Sequence, residues 1–241
     1  MSTIDDKTIQ ESGVLLVDKP TGWTSHDVVG YLRRFGIKKV GHCGTLDPNA
    51  TGLLVIVLGR ATKLADKFTQ HDKVYEGTMT IGIDTDTQDA EGEVVQTRDW
   101  SHVTAEQITE VCADFVGEQM QMPPMYSAVK VGGQELYKLA RKGQVVERPA
   151  RQIVIHSLDV TAIALPDISI TAKCSKGTYV RTLCTDIGDK LGSGAHVKTL
   201  RRTVSGRLNV VDATDMETIK TWDRETLLEK MIPLASVMAY F

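Results

Sequence analysis

The chain has 241 residues, 41% hydrophobic and 24% charged, with a net charge of −3, ordinary values for a globular protein long enough to bury one large domain or two small ones. No apolar run approaches the roughly 20 residues that span a bilayer, and residues 1–7 are polar, without a signal-peptide core. Cys43, Cys112, Cys174 and Cys184 are scattered without a CxxC pair, which argues against a zinc site or a disulfide framework and fits a reducing cytoplasm.

Taken in order, residues 14–18 read as a short strand. They lead to the stiff Lys19-Pro20 turn and a helix over 28–35, with Ser25 as its N-cap and Gly36 as its stop. GHCGTLDPNATG at 41–52 reads as a glycine-bearing loop with one carboxylate, Asp47, near its centre. LLVIVLG at 53–59 reads as the buried strand that holds this loop against the core. An Asp before a Pro is ordinary turn chemistry, so Asp47 alone would be read as a cap.

Residues 60–68 read as a helix and 73–82 as an alternating strand, in which Tyr75 is a core aromatic by spacing. Residues 84–93 form an acidic, glycine-containing loop with no catalytic assignment. Thr104 and Gln107 make a capping box for an amphipathic helix to about 115. Residues 123–151 are a basic excursion carrying Lys130, Lys138, Arg141, Lys142, Arg148 and Arg151, a mobile flap or a plain surface feature. Two long strands follow at 152–164 and 168–174. Residues 175–183 run into a helix to about 191, and 214–231 look helical.

Charge is segregated. From 84 to 118 it is nearly all acidic, opposed by Arg98; from 130 to 151 and 173 to 207 it is mostly basic. A basic face for phosphate and a merely solvated surface both fit that pattern.

The stretch at 41–64, GHCGTLDPNATGLLVIVLGRATKL, resembles the signature GHxGTLDPxATGxL of the TruB family of tRNA pseudouridine synthases, with Cys43 where Thr is usual. DKPTGWTSHDVV at 18–29, PPMYSAVK at 123–130, CSKGTYVRTL at 174–183 and the segment from Gly194 resemble its other motifs. The resemblance implies an α+β pseudouridine synthase fold: an extended, largely antiparallel sheet, flanking helices and a central active-site cleft. It makes 1–241 one catalytic domain with a thumb-like insertion at about 123–151, ending before the PUA-type RNA-binding domain usual in the family.

It implies that Asp47 is the nucleophile, Tyr75 the aromatic on the target base and an aid to proton removal, and Arg181 the partner of Asp47. His42 would occupy the space a flipped base vacates. Tyr179 and Leu200 would line the pocket, and Lys19, Lys130, Arg141 and Arg202 would complete the substrate-binding set, with Lys19 bracing the loop. The implied reaction is conversion of uridine 55 in the T-loop of tRNA to pseudouridine after base flipping. Attack on the base, attack on the sugar and a glycal route all suit an Asp at this place.

The sequence holds no phosphate loop or dinucleotide fingerprint, and its histidines stand singly, so no cofactor and no metal are expected. A monomer acting on the tRNA T-arm, without membrane or protein partner, is expected in the cytoplasm. A glycoside hydrolase would need a second motif-borne carboxylate. A plain RNA-binding or chaperone module would not need Asp47. A guide-RNA-dependent synthase shares the loop, but the long basic insertion favours the stand-alone type.

Overall fold

The computed structural model describes residues 11–241; the polar stretch 1–7 lies outside them. The architecture is α+β, with long, mostly antiparallel strands and flanking helices. The described residues divide into two compact units, 11–74 with Arg201–Phe241, and Tyr75–Leu200.

The first unit is built on the strand Thr51–Leu58. All six residues from Leu53 to Leu58 are fully buried. Burying six such side chains is worth roughly 10 kcal/mol gross, before chain entropy is counted. One edge pairs antiparallel with Gly13–Lys19, from Gly13 opposite Leu58 to Lys19 opposite Gly52. The other edge takes Val40–Cys43 antiparallel near its end, and Arg201 and Arg202 parallel at its start. Gly13–Lys19 is flanked in turn by Thr214–Asp215 and Ile232–Pro233.

The helix Ser25–Leu32 lays Val28, Val29 and Leu32 into this core. Its cap is Thr24, which accepts from Asp27 N while Asp27 answers Thr24 N, a capping box. Ser25, expected as the cap, lies one residue inside and its hydroxyl has another task, described below. The expected helix at 60–68 is a 3-10 turn, Gly59–Leu64, followed by the short α-helix Ala65–Thr69. The expected helix at 214–231 is broken into Met216–Lys220 and Arg224–Lys230. Asp215 and Asp223 each cap a separate start, and a carboxylate offered to a local backbone N–H competes with helix continuation.

Lys73–Ile81, which enters the second unit at Tyr75, is followed there by Asp167–Cys174, Arg151–Ala164 and Gly117–Gln121 as successive neighbours in the sheet. The helices Ala105–Asp114 and Val180–Lys190 bury Ile108, Cys112, Leu183, Cys184 and Ile187 in the core beside Met79, Ile81, Ile155 and Ile170. The capping box of Thr104 and Gln107 is formed as read. The acidic stretch carries a short hairpin, Ile83–Thr85 with Val94–Thr97. Ala195–Ser205 is a strand for which the sequence offered no reading.

Candidate active site

The loop around Asp47 is held from several sides within the first unit. Its first residues are strand, since Val40–Cys43 pairs with the core strand; the loop proper begins at Gly44. Asp47 O accepts from Ala50 N at 3.1 Å, closing a turn over Pro48 and Asn49. Pro48 O accepts from Gly22 N at 2.9 Å and from Lys19 Nζ at 3.0 Å. Ser25 Oγ accepts from Leu46 N at 2.9 Å and donates to Leu46 O at 3.0 Å, fixing the residue before Asp47. Gly52 has φ +98°, and a Cβ there would lie 2.3 Å from Arg202 O, so only glycine suits this position.

Two buried cations brace the loop. Lys19 has no exposed surface, and Nζ also donates to Trp23 O at 2.6 Å and Pro20 O at 2.9 Å. Arg202 is 1% exposed; its Nε donates to Leu53 O at 2.8 Å and its Nη2 to Gly44 O at 2.9 Å. Both were expected among the substrate-binding residues. Their burial and their bonds to backbone carbonyls make them loop supports, the bracing part of the expectation for Lys19. Burial pulls the Lys19 ammonium down to about 8, against the attraction of Asp47 and Asp27. Arg201, next to Arg202, makes a two-point pair with Asp18 at 2.7 and 3.0 Å.

His42 is half-buried on the strand Val40–Cys43, with its ring edge-on to His26 at 5.2 Å. Burial, aided by the positive fields of His26 and Arg202, lowers its pKa to about 4, so the ring is neutral near pH 7. Its Nδ1 is buried and has no hydrogen-bond partner among the described residues. A ring held neutral near pH 7 has no imidazolium proton to give.

The second unit positions the other expected residues. Arg181 stands in the first turn of Val180–Lys190 and is 5% exposed. Its Nη1 donates to Thr87 O at 2.7 Å, its Nη2 donates to Tyr126 O at 2.8 Å, and Asp89 lies 3.6 Å away. The acidic loop, assigned no role from sequence, therefore frames this guanidinium. Gln88 in that loop has φ +64°, unusual for a residue with a side chain, and its Oε1 accepts from Thr182 Oγ1 at 2.9 Å. Asp86 accepts from Tyr126 OH at 3.2 Å.

Tyr179 precedes the same helix. Gln121 Oε1 accepts from its N–H at 2.8 Å, Gln121 Nε2 donates to its carbonyl at 3.1 Å, and Arg151 lies 5.6 Å over its ring. Tyr75 and Leu200 are half-buried and pack against the core of this unit. Gly77 lets the strands close there, since a Cβ would lie 2.8 Å from Thr199 O. Lys130 and Arg141 are exposed, on the small hairpin Lys130–Val131 with Gln134–Glu135 and just past the helix Leu136–Ala140.

Ser25, Thr87, Asp89, Gln121 and Tyr126 were missed as supports. Their one signal is that each lies within or next to a motif already singled out. Among the described residues, no group of three or more His, Cys, Asp or Glu is placed to hold a metal ion. No helix there is long and apolar enough to cross a membrane.

The TruB family pseudouridylate synthase N-terminal domain matches residues 33–180, and the tRNA pseudouridylate synthase B C-terminal domain matches 181–238. A Syntrophotalea carbinolica protein named tRNA pseudouridine synthase B is 49% identical over 228 residues, 94% of this chain and 74% of that one. An Opitutus terrae protein of the same name is 48% identical over 223 residues, 92% of each chain. Among solved structures, the crystal structure of a Cbf5-Nop10-Gar1 complex matches with a TM-score of 0.72 and 27% identity, over 95% of this chain and 62% of that chain. With a family match over more than half its length and relatives at nearly half identity, the chain belongs to the TruB family of pseudouridylate synthases.

Proposed function

We infer that this chain converts uridine 55 of the tRNA T-loop to pseudouridine, with Asp47 as the nucleophile. The observation that carries the reading is the Asp47 loop itself, in which Ser25, Lys19 and Arg202 fix the backbone on both sides of one carboxylate. The relatives named tRNA pseudouridine synthase B support tRNA as the substrate. A catalytic carboxylate gains most from a backbone that is already in place before the substrate arrives.

In this reading the target base leaves its stack. Neutral His42 takes the vacated space, and the base rests against Tyr75, with Tyr179 and Leu200 closing the pocket. Asp47 acts on the flipped nucleotide while the N1–C1′ bond breaks. The uracil turns, C5 bonds to C1′, the C5 proton leaves and N1 gains one. The product is an isomer, so no outside reductant or energy source is required. Arg181 is the proposed cationic partner of the nucleophile, and Tyr75 the proposed aid to removal of the C5 proton. Lys130 and Arg141 would meet T-arm phosphates from the thumb-like insertion. The enzyme would act as a cytoplasmic monomer.

The test is release of tritium from a tRNA transcript carrying 5-tritiated uridine, beside the same transcript with cytidine at position 55. Release that requires uridine 55 supports the reading. No release, or release indifferent to that substitution, overturns it.

A further inference from the structure

The first unit carries a second set of residues that this chemistry does not use. Trp23, Tyr31 and Phe35 form an edge-to-face ladder with successive centroids 6.2 Å apart. Beside it lies an open pocket of about 640 Å³ lined by Tyr31, Arg34, Phe35, Lys220, Trp222 and Arg224. Aromatic residues are scarce here, at 5% of the chain, yet two of its three tryptophans belong to this face.

Cations accompany the rings. Arg34 lies 5.2 Å over Tyr31, and Lys220 lies 5.3 Å over Trp23. Arg224 is structural: it donates to Phe35 O and pairs with Glu11, fixing one wall. The lining acid, Asp223, is committed to capping the helix Arg224–Lys230 through Thr226 N at 2.8 Å. Lys220 is shared with Glu217 at 2.6 Å. Arg33, Arg34, Lys38 and Lys39 are exposed, and none has a carboxylate partner among the described residues. The face thus joins aromatic surface to one lining cation without a carboxylate partner, Arg34, the pairing that holds unpaired nucleotides by stacking and phosphate contact.

We propose that this pocket binds an unpaired nucleotide of the RNA substrate, its base against Tyr31, Phe35 and Trp222 and its phosphate on Arg34. The proposal rests on the reading of the chain as an RNA-modifying enzyme. The pocket's size suits a single nucleotide and not a duplex. Its place suits a continuation of the same RNA. Ser25, in the first turn of the helix Ser25–Leu32, holds Leu46 of the Asp47 loop, and Tyr31 lies six residues further along, about 9 Å of helix rise.

The test measures binding of a labelled single-stranded hexauridylate, by fluorescence anisotropy, to the full chain and to Arg34→Glu and Trp222→Ala, with thermal melting to confirm folding. Each substitution should weaken binding about tenfold, as expected for one lost stack or phosphate contact. Arg34→Glu should also flatten the salt dependence by about one phosphate contact. Pseudouridine formation in an isolated T-arm stem-loop should be unchanged in Arg34→Glu. Unchanged hexauridylate affinity in Arg34→Glu, or equal binding of a duplex of the same length, overturns the proposal. A wild type that binds hexauridylate but modifies no stem-loop would instead contradict the enzymatic reading.

Discussion

Lys19→Met keeps the length and apolar body of the side chain and removes its ammonium. In the wild type that ammonium donates to Pro20 O, Trp23 O and Pro48 O at 2.9, 2.6 and 3.0 Å. Hydrogen bonds to a charged group are worth about 1.5–3 kcal/mol each, so the set is worth roughly 5–9 kcal/mol gross. Pro48 O keeps its bond from Gly22 N and loses less than the others. Against this stands the cost of burying the charge, read from the fall of the Lys19 pKa to about 8. That fall corresponds to about 3 kcal/mol, which methionine relieves. The net expectation is a loss of about 2–4 kcal/mol in urea unfolding at pH 7, a large part of a typical domain's stability. Turnover should fall about 100-fold, because the loop carrying Asp47 is no longer pinned. A second arm uses pH. The folded pKa lies below the ordinary 10.5, so between pH 8 and 10.5 the unfolded chain keeps a proton that the folded chain has released. Wild-type stability relative to Lys19→Met should therefore be flat below pH 8 and rise from there to about 10.5. Equal stability and equal turnover in the two proteins, or a relative stability that falls across that window, would show that the Lys19 ammonium does not hold the loop.

Other expectations follow from the same geometry. Gly52→Ala places a Cβ 2.3 Å from Arg202 O at a φ of +98°, so it should cost about 3 kcal/mol and lower the melting temperature by about 6–12 °C in calorimetry. Arg181→Lys leaves a single point charge where a planar fork serves Thr87 O and Tyr126 O; turnover should drop about 100-fold with little change in tRNA affinity, measured by single-turnover kinetics and filter binding. The His42 ring should titrate with a midpoint near 4 in proton NMR, so activity between pH 6 and 8 should show no ionisation of this residue. A His42 midpoint at its ordinary value near 6.5 would show that the ring is solvated, contrary to its burial.

What was legible in the sequence was local. The run from Leu53 to Leu58 is apolar on both faces and reads as a buried strand, and the Thr104 capping box needs residues three apart. Asp47, His42, Tyr179 and Arg181 were singled out because each sits in a distinctive string. What was not legible depends on distant partners. Val40–Cys43 is a strand because Leu58 to Val55 lies opposite it, and GHC carries no strand pattern of its own. Ala195–Ser205 is rich in charge, so its polar surface hides a strand that sends Arg202 inward. Lys19 was expected to brace the loop and Arg202 to face RNA, and composition cannot reveal that backbone carbonyls wait for both of them. Ser25 and Thr24 differ by one place in a cap, and only the position of Leu46 decides which hydroxyl turns to the loop.

In this reading Asp47 performs the chemistry and the rest of its loop holds it. The most direct measurement compares the wild type with Asp47→Asn on an unmodified tRNA transcript, scoring both pseudouridine at position 55 and equilibrium binding of the same RNA. Product should form with the wild type alone, and the two proteins should bind the RNA equally. Product from the Asn variant at a comparable rate would contradict it, and the nucleophile would have to be sought elsewhere.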